Sequence, residues 1–310
     1  MEFIRSLIKL RPQHRGCVAT IGNFDGVHIG HQALLRQLIT RAQTAHLPAT
    51  VLLFEPQPQE FFNPTTAPVR LTRLREKLPL IAELKIDRTL CIRFNTEFSQ
   101  LTASQFIQDI LIQRLNIQHL TIGPDFRFGQ AQQGNFNTLQ TAGQHFNFTT
   151  EVSDTILIDG ERVSSTRLRH ALALGDLTTA HRLLGRAYHL WGRVSPGQQR
   201  GRTLGFPTAN VPLHRPSSPL SGVFAVQVHL PNLTKTALPG IANLGIRPTI
   251  GGKQPLLEVH LFDFHTSIYH QPIQVTFLQK IRDEQHFPSL YALQHQIQQD
   301  VHLAKSLLTL

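Results

Sequence analysis

The chain has 310 residues, 41% of them hydrophobic, and its 30 Lys and Arg against 20 Asp and Glu leave a formal charge of +10. That apolar share excludes a disordered polycation, and the length suits about two domains. The only cysteines, Cys17 and Cys91, form no CxxC pair, which excludes a thiolate zinc site and fits a reducing cytosol better than a disulfide scaffold. Glu2, Arg5, Lys9 and Arg11 interrupt the N-terminus, and no apolar run approaches the ~18 residues of a membrane span. We therefore expect a soluble, cytoplasmic protein that is neither exported nor membrane-bound.

In chain order, short apolar runs alternate with helical patterns over the first part. Strands are expected at 17–21, 50–54, 89–92 and 119–122, with a helix from Gly30 to Ala45 and another from Ser104. That order predicts an α/β fold, a parallel sheet with crossover helices. After Leu184-Gly185-Arg186 the texture changes to strands separated by Gly and Pro, at 189–194, 223–230, 238–244, 256–264 and 273–279. These predict a small antiparallel β-barrel. It ends in a helix capped by Ser289, with Leu290, Leu293, Ile297 and Val301 on one face. We divide the chain at 1–185 and 186–310.

The charge is uneven. Residues 1–185 hold 19 bases and 15 acids, residues 186–310 hold 11 and 5, and no Asp or Glu occurs between Leu177 and Leu257. Glu258 ends that gap, inside an alternating run; by itself the gap reads as chance in a Gln- and His-rich sequence, and Glu258 becomes a candidate base only with the motifs that follow.

The segment from Thr20 to His31 leads from the first strand into the first helix, at the carboxyl edge where open α/β sheets bind ligands. Gly22, Gly26 and Gly30 permit tight turns and close backbone approach. The helix start offers unpaired N–H groups, and His28 and His31 add donors at the same place, a set suited to polyphosphate. Neither a P-loop nor a GxGxxG fingerprint is present. A second anion-friendly segment, Ser164-Ser165-Thr166 followed by Arg167 and Arg169, stands at another helix start.

With His28-Ile29-Gly30-His31 the sequence resembles the nucleotidyltransferase superfamily, whose HxGH motif grips ATP phosphates; class I aminoacyl-tRNA synthetases share that motif. Further segments, 54–62, 70–78 and 123–129, look like the adenylyltransferase module of bacterial bifunctional riboflavin kinase/FAD synthetases. That resemblance implies nucleotide contacts at Gly22, Asn23, Phe24, Asp25, Gly26, Gly30 and Asp125. It implies donors to the triphosphate at Ser164, Ser165, Thr166 and Arg169. One departure is Gln57, where the family commonly has histidine; an amide donates a hydrogen bond but carries no charge.

The second part contains Gly197, Gly201-Arg202, and Gly205-Phe206-Pro207-Thr208-Ala209-Asn210. This order resembles the riboflavin kinase module of the same family, and the match continues through 219–225, 243–249, 257–264 and 280–288. A kinase needs hard oxygen ligands for Mg²⁺, a loop over the phosphates and a proton acceptor. Thr208 and Asn210, two positions apart, put oxygens on one side of an extended segment. The stretch Gly197 to Gly205, with Arg200 and Arg202, suits the loop. The resemblance implies that Thr208 and Asn210 position Mg²⁺ with ATP and that Glu258 is the base for the ribityl hydroxyl.

The implied activities are phosphorylation of riboflavin to FMN and adenylylation of FMN to FAD, with ATP as co-substrate and Mg²⁺ at both sites. These anionic ligands account for the positive charge without nucleic acid. A monofunctional nucleotidyltransferase would leave Thr208 and Glu258 without a task, and a phosphorylation assay separates it. A nucleic-acid-binding protein would need salt-steep binding, against which the scattered bases speak. The sequence leaves the oligomeric state open.

Overall fold

The computed structural model describes residues 1–197, 201, 205–249 and 252–309. By its contacts the chain divides into one unit of Met1–Pro68 and Thr72–Ser164 and a second of Val69–Leu71 and Ser165–Leu310.

The first unit is built on a six-stranded, wholly parallel sheet of β1 (Glu2–Ile4), β2 (Cys17–Ile21), β3 (Ala49–Glu55), β4 (Arg88–Arg93), β5 (Ile117–Ile122) and β6 (Thr149–Val152). Their order is β1-β4-β3-β2-β5-β6. Helices cover both faces. Val18, Val51 and Leu53 pack with Leu34, Leu35 and Leu38 of the helix Ile29–Ala45 and with Ile81 of the helix Leu74–Glu83. Cys17, Ala19, Ile21, Leu52 and Leu90 pack with Phe106, Ile110 and Leu111 of the π-wound segment Phe106–Arg114 and with Leu139 of the helix Phe136–Phe146. A strand buried on both faces reads as a continuous apolar run, which is why the four expected strands were visible. Strands β1 and β6 were not expected, because one is three residues long and the other is mostly Thr and Glu. The chain moves from β2 through β3 to β4 and then returns to place β5 on the other side of β2. This is a switch point, and the crevice beyond the ends of β2 and β5 is the sheet's ligand position.

The hairpin β7 (Leu157–Ile158) and β8 (Glu161–Arg162) follows. In the second unit, the helices Ser165–Leu174 and Leu177–Leu184 precede β9 (His189–Arg193), β10 (Ala209–Pro212), β11 (Gly222–His229), β12 (Leu238–Thr249), β13 (Gly252–Leu261) and β14 (Pro272–Arg282). These six strands form one antiparallel sheet, ordered β10-β13-β12-β11-β14-β9. A bridge between Ser195 and Asn210, with Ser195 N–H donating to the Asn210 carbonyl at 2.8 Å, brings its two edges together as a nearly closed barrel. Leu190, Val211, Phe224, Leu257, Val259 and Phe277 fill it, all at most 1% exposed.

Three details differ from the sequence expectation. Strand β10 is a sixth strand, hidden because two of its four residues are Asn and Pro. Strand β13 ends at Leu261, so Asp263 lies in the following turn with φ +51°. Leu290 is 72% exposed; the final helix, Leu290–Leu307, packs through Val301 and Ala304 against Val223, Ala225, Ile241 and Phe262. Ser289 caps it as expected, its Oγ accepting from Ala292 N–H at 3.1 Å. Asp300 of the same helix accepts a two-pronged bond from Arg282, at 3.0 Å to Nε and 2.8 Å to Nη2.

Candidate functional sites

In the first unit, Gly22, Asn23, Phe24, Asp25, Gly26 and Val27 form the turn between β2 and the helix Ile29–Ala45. Phe24 and Val27 take φ values of +46° and +43°, a conformation costly for side chains of their kind, so the turn is held from outside. Thr72 supplies part of that hold. Its N–H and Oγ1 donate to Asp25 Oδ1 at 3.0 and 3.3 Å, while its Oγ1 accepts from Gly26 N–H at 2.9 Å. Asp25 is thus a buried tie within the turn. Lys77, also buried, donates from Nζ to the Asn23 carbonyl.

His28 is the helix N-cap, and its Nδ1 accepts from His31 N–H at 3.2 Å. The two imidazoles stack with centroids 3.6 Å apart, and Phe24 meets His31 edge-on at 5.1 Å. Gly30 makes this fold-back possible, since a Cβ there would stand 3.3 Å from the His28 ring. Burial holds the His31 imidazole well below its usual pKa, and His28 and Lys77 push in the same direction. The ring is therefore neutral at pH 7. Its Nδ1 has no hydrogen-bond partner among the described residues.

Asp125 follows β5, at the same sheet edge, and pairs with Arg162 of β8. Ser164 ends the first unit, whereas Ser165, Thr166 and Arg169 stand on the helix Ser165–Leu174 of the second. There Arg169 Nε donates to the Val69 carbonyl at 2.6 Å. Sequence reading missed an aromatic cavity of about 500 Å³ near the end of β4, lined by Phe62, Phe94, Phe98 and Phe106. Gln57 is buried, and its Nε2 has no partner among the described residues.

In the second unit, the register pairs Asn210 of β10 with Glu258 of β13, and Glu258 in turn with Asn243 of β12. Their neighbours Val211, Leu257 and Val259 point into the barrel core, so alternation puts these three polar side chains together on the outer face. Gly197 packs on the Asn210 amide, which any larger side chain would displace. The Gly201 carbonyl accepts from Phe206 N–H at 2.8 Å, and a Cβ on Gly201 would stand 3.1 Å from Thr208 Oγ1. Gly205 turns the chain with φ +87°. Arg200 and Arg202 lie outside the described residues. Beside Thr208 is a cavity of about 250 Å³, lined by Pro207, Val259, Phe264, Ile268 and Tyr269 among others.

Family models match both parts: one described as FAD synthetase over residues 10–167 and one described as riboflavin kinase over residues 184–308. The bifunctional riboflavin kinase/FMN adenylyltransferase of Pseudomonas fluorescens is 49% identical over 99% of this chain and 98% of its own length. The protein of the same description from Escherichia coli strain K12 is 48% identical over 97% and 96%. A crystal structure described as a macrolide-efflux protein from Streptococcus pneumoniae superposes with a TM-score of 0.83 at 28% identity, over 98% of this chain and 99% of that one.

Proposed function

We propose, on the premise that this chain belongs to the bifunctional riboflavin kinase/FMN adenylyltransferase family, how its residues divide the work of converting riboflavin to FMN and FMN to FAD. The barrel, within residues 186–310, phosphorylates riboflavin. The parallel-sheet part, within residues 1–185, adenylylates FMN. The observation that carries the kinase assignment is the direct pairing of Asn210 with Glu258.

In the kinase step the ribityl 5′-hydroxyl attacks the γ-phosphorus of ATP. The Glu258 carboxylate accepts the hydroxyl proton, the new O–P bond forms, and the bond to the β–γ bridging oxygen breaks to release ADP. Gly197, Arg202 and Gly205 belong to the loop beside the phosphates. Thr208 and Asn210 offer neutral hard oxygens, and among the described residues no group of three or more His, Cys, Asp and Glu side chains gathers to hold a metal. That donor set fits Mg²⁺, which binds largely through water and nucleotide phosphate. Bound there, Mg²⁺ would neutralise phosphate charge.

In the adenylyl step a phosphate oxygen of FMN attacks the α-phosphorus of ATP, and pyrophosphate leaves. FMN is already an anionic nucleophile, so the residues position it and stabilise charge. His28, His31 and the helix N–H groups beside Gly30 serve the nucleotide phosphates, with Ser164, Ser165, Thr166 and Arg169 as further donors. The turn from Gly22 to Gly26 shapes the nucleotide seat, and Asp125 contacts the nucleotide. The aromatic cavity of Phe62, Phe98 and Phe106 matches the flat flavin ring, whose dimethylbenzene end is apolar. We assign both activities to the cytoplasm, where ATP is at hand.

The test is incubation of the purified protein with riboflavin, ATP and Mg²⁺, with riboflavin, FMN and FAD separated over time. FMN should appear first and FAD follow. FAD formed from added FMN without any phosphorylation of riboflavin would reduce the protein to a monofunctional nucleotidyltransferase.

A further inference from the structure

We propose that His260 is a positioning residue of the kinase site, tying the segment that carries Thr208 and Asn210 to the strand that carries Glu258. The inference rests on the reading of the barrel as the kinase site.

The β10–β13 ladder runs from Pro212 paired with Leu256 to Ala209 paired with Val259, and there it stops. The next pair in register would set Thr208 against His260, but no ladder bond forms. A side chain takes its place: His260 Nδ1 lies 2.9 Å from the Pro207 carbonyl oxygen. A carbonyl only accepts, so Nδ1 carries the hydrogen and donates it. The ring is also fixed in rotation. Phe206 meets it edge-on at 5.6 Å, and Phe262 does so at 5.8 Å from the other side in sequence. Phe262 is held in turn by Lys305 of the final helix, whose Nζ sits 5.3 Å from its centroid. His260 is two residues beyond Glu258 and so shares its outer face. One imidazole thus fastens the backbone immediately before Thr208 to the strand of the base. Burial lowers the His260 pKa while the Pro207 bond works against it, and Nδ1–H donates in either protonation state.

Outer partners that orient ligand-bearing groups typically contribute about 10–100-fold to metal affinity. The test compares three full-length variants. His260→Asn places an amide N–H near the position of Nδ1; His260→Phe keeps the ring without a donor; His260→Ala removes both. The half-saturating concentration of MgATP for riboflavin phosphorylation, and the affinity for MgADP by calorimetry, should worsen by about tenfold in the Phe and Ala variants. Asn should recover most of that loss. The KM for riboflavin and the adenylylation of added FMN should stay within about twofold. Wild-type MgATP dependence in His260→Phe, an Asn variant as impaired as Phe, or a parallel fall in FMN adenylylation would each overturn the proposal. Thr208→Ala separates the two levels of inference: if it leaves MgATP dependence unchanged, the kinase-site reading itself fails. If it is impaired while His260→Phe is not, only the role of His260 fails.

Discussion

Asn210 and Glu258 face each other across two antiparallel strands whose residues lie 48 positions apart in the chain. A candidate metal-holding amide and a candidate base thereby share one outward face, and the ladder fixes their spacing without help from a loop. The pairing also restricts what a substitution at Glu258 perturbs, since the buried partners Val211, Leu257 and Val259 point the other way.

Glu258→Gln keeps the size and strand placement of the side chain and removes the proton acceptor. Riboflavin phosphorylation should fall by roughly 10²–10⁴, while FMN supplied from outside is still adenylylated. Asp263→Asn is the control. Its carboxylate is 89% exposed, lies in the turn beyond β13 and pairs with Lys305 at 3.7 Å. That change should leave phosphorylation within about twofold, because a single exposed ion pair contributes little. Near-normal phosphorylation by Glu258→Gln would show that the base lies elsewhere.

His31→Ala should act in the opposite direction. His31 stands in the first turn of the helix Ile29–Ala45, at the proposed adenylylation site, so FAD formation should drop by about 10²–10³ with FMN production intact. Steady-state assays of each step on the same folded preparation decide it, and an equal loss of both would contradict the division of labour.

How much of this was visible beforehand depends on whether the signal was local. The turn from Gly22 to His31 and the run from Gly205 to Asn210 are contiguous, so the chemistry proposed for them reads directly from residue order. The aromatic cavity does not. Phe62, Phe94, Phe98 and Phe106 come from separate segments and meet only because strands β3 and β4 end side by side. Lys77 reads as an ordinary helical lysine, and only the turn packed over it makes it a buried donor to Asn23. The role of His260 depends on Pro207, 53 positions away, and on a ladder that ends one residue short.

The aromatic cavity gives a test of flavin recognition independent of the histidines. Phe62 is 58% exposed at its rim, so its loss leaves the core intact. An aromatic pair contributes about 0.5–1.5 kcal/mol beyond buried area, so Phe62→Ala should raise the KM for FMN in adenylylation by roughly 2- to 13-fold. Riboflavin phosphorylation and the KM for ATP should not follow. An unchanged KM for FMN would place the flavin ring elsewhere.

Divalent metal should be needed at both steps. EDTA should stop formation of FMN and FAD, and added Mg²⁺ should restore both, because each reaction develops charge on ATP phosphates that a divalent cation neutralises. Substantial turnover in EDTA would remove the role given to Thr208 and Asn210.

The depressed pKa of His31 also makes a prediction about stability, with a definite sign. In the folded chain the buried ring resists protonation, whereas in the unfolded chain it titrates near 6.5. Above that value both states carry the neutral ring and nothing is lost. As pH falls below it, the unfolded chain binds a proton that the folded chain does not, so stability declines with acidification at up to about 1.4 kcal/mol per pH unit. The decline sets in as pH falls through about 6.5 and continues until the folded ring itself takes up a proton. His119 and His260 are shifted in the same direction, so a wild-type pH profile alone would mix three contributions. The comparison is therefore between wild type and His31→Gln, which retains both. Urea unfolding of the ligand-free protein, followed by a probe in the first unit, should show the variant losing less stability than wild type between about pH 7 and about pH 5. Equal losses in the two proteins would mean that His31 is charged or solvent-accessible in the folded state, and its part in the adenylylation site would have to be rebuilt around a cationic ring.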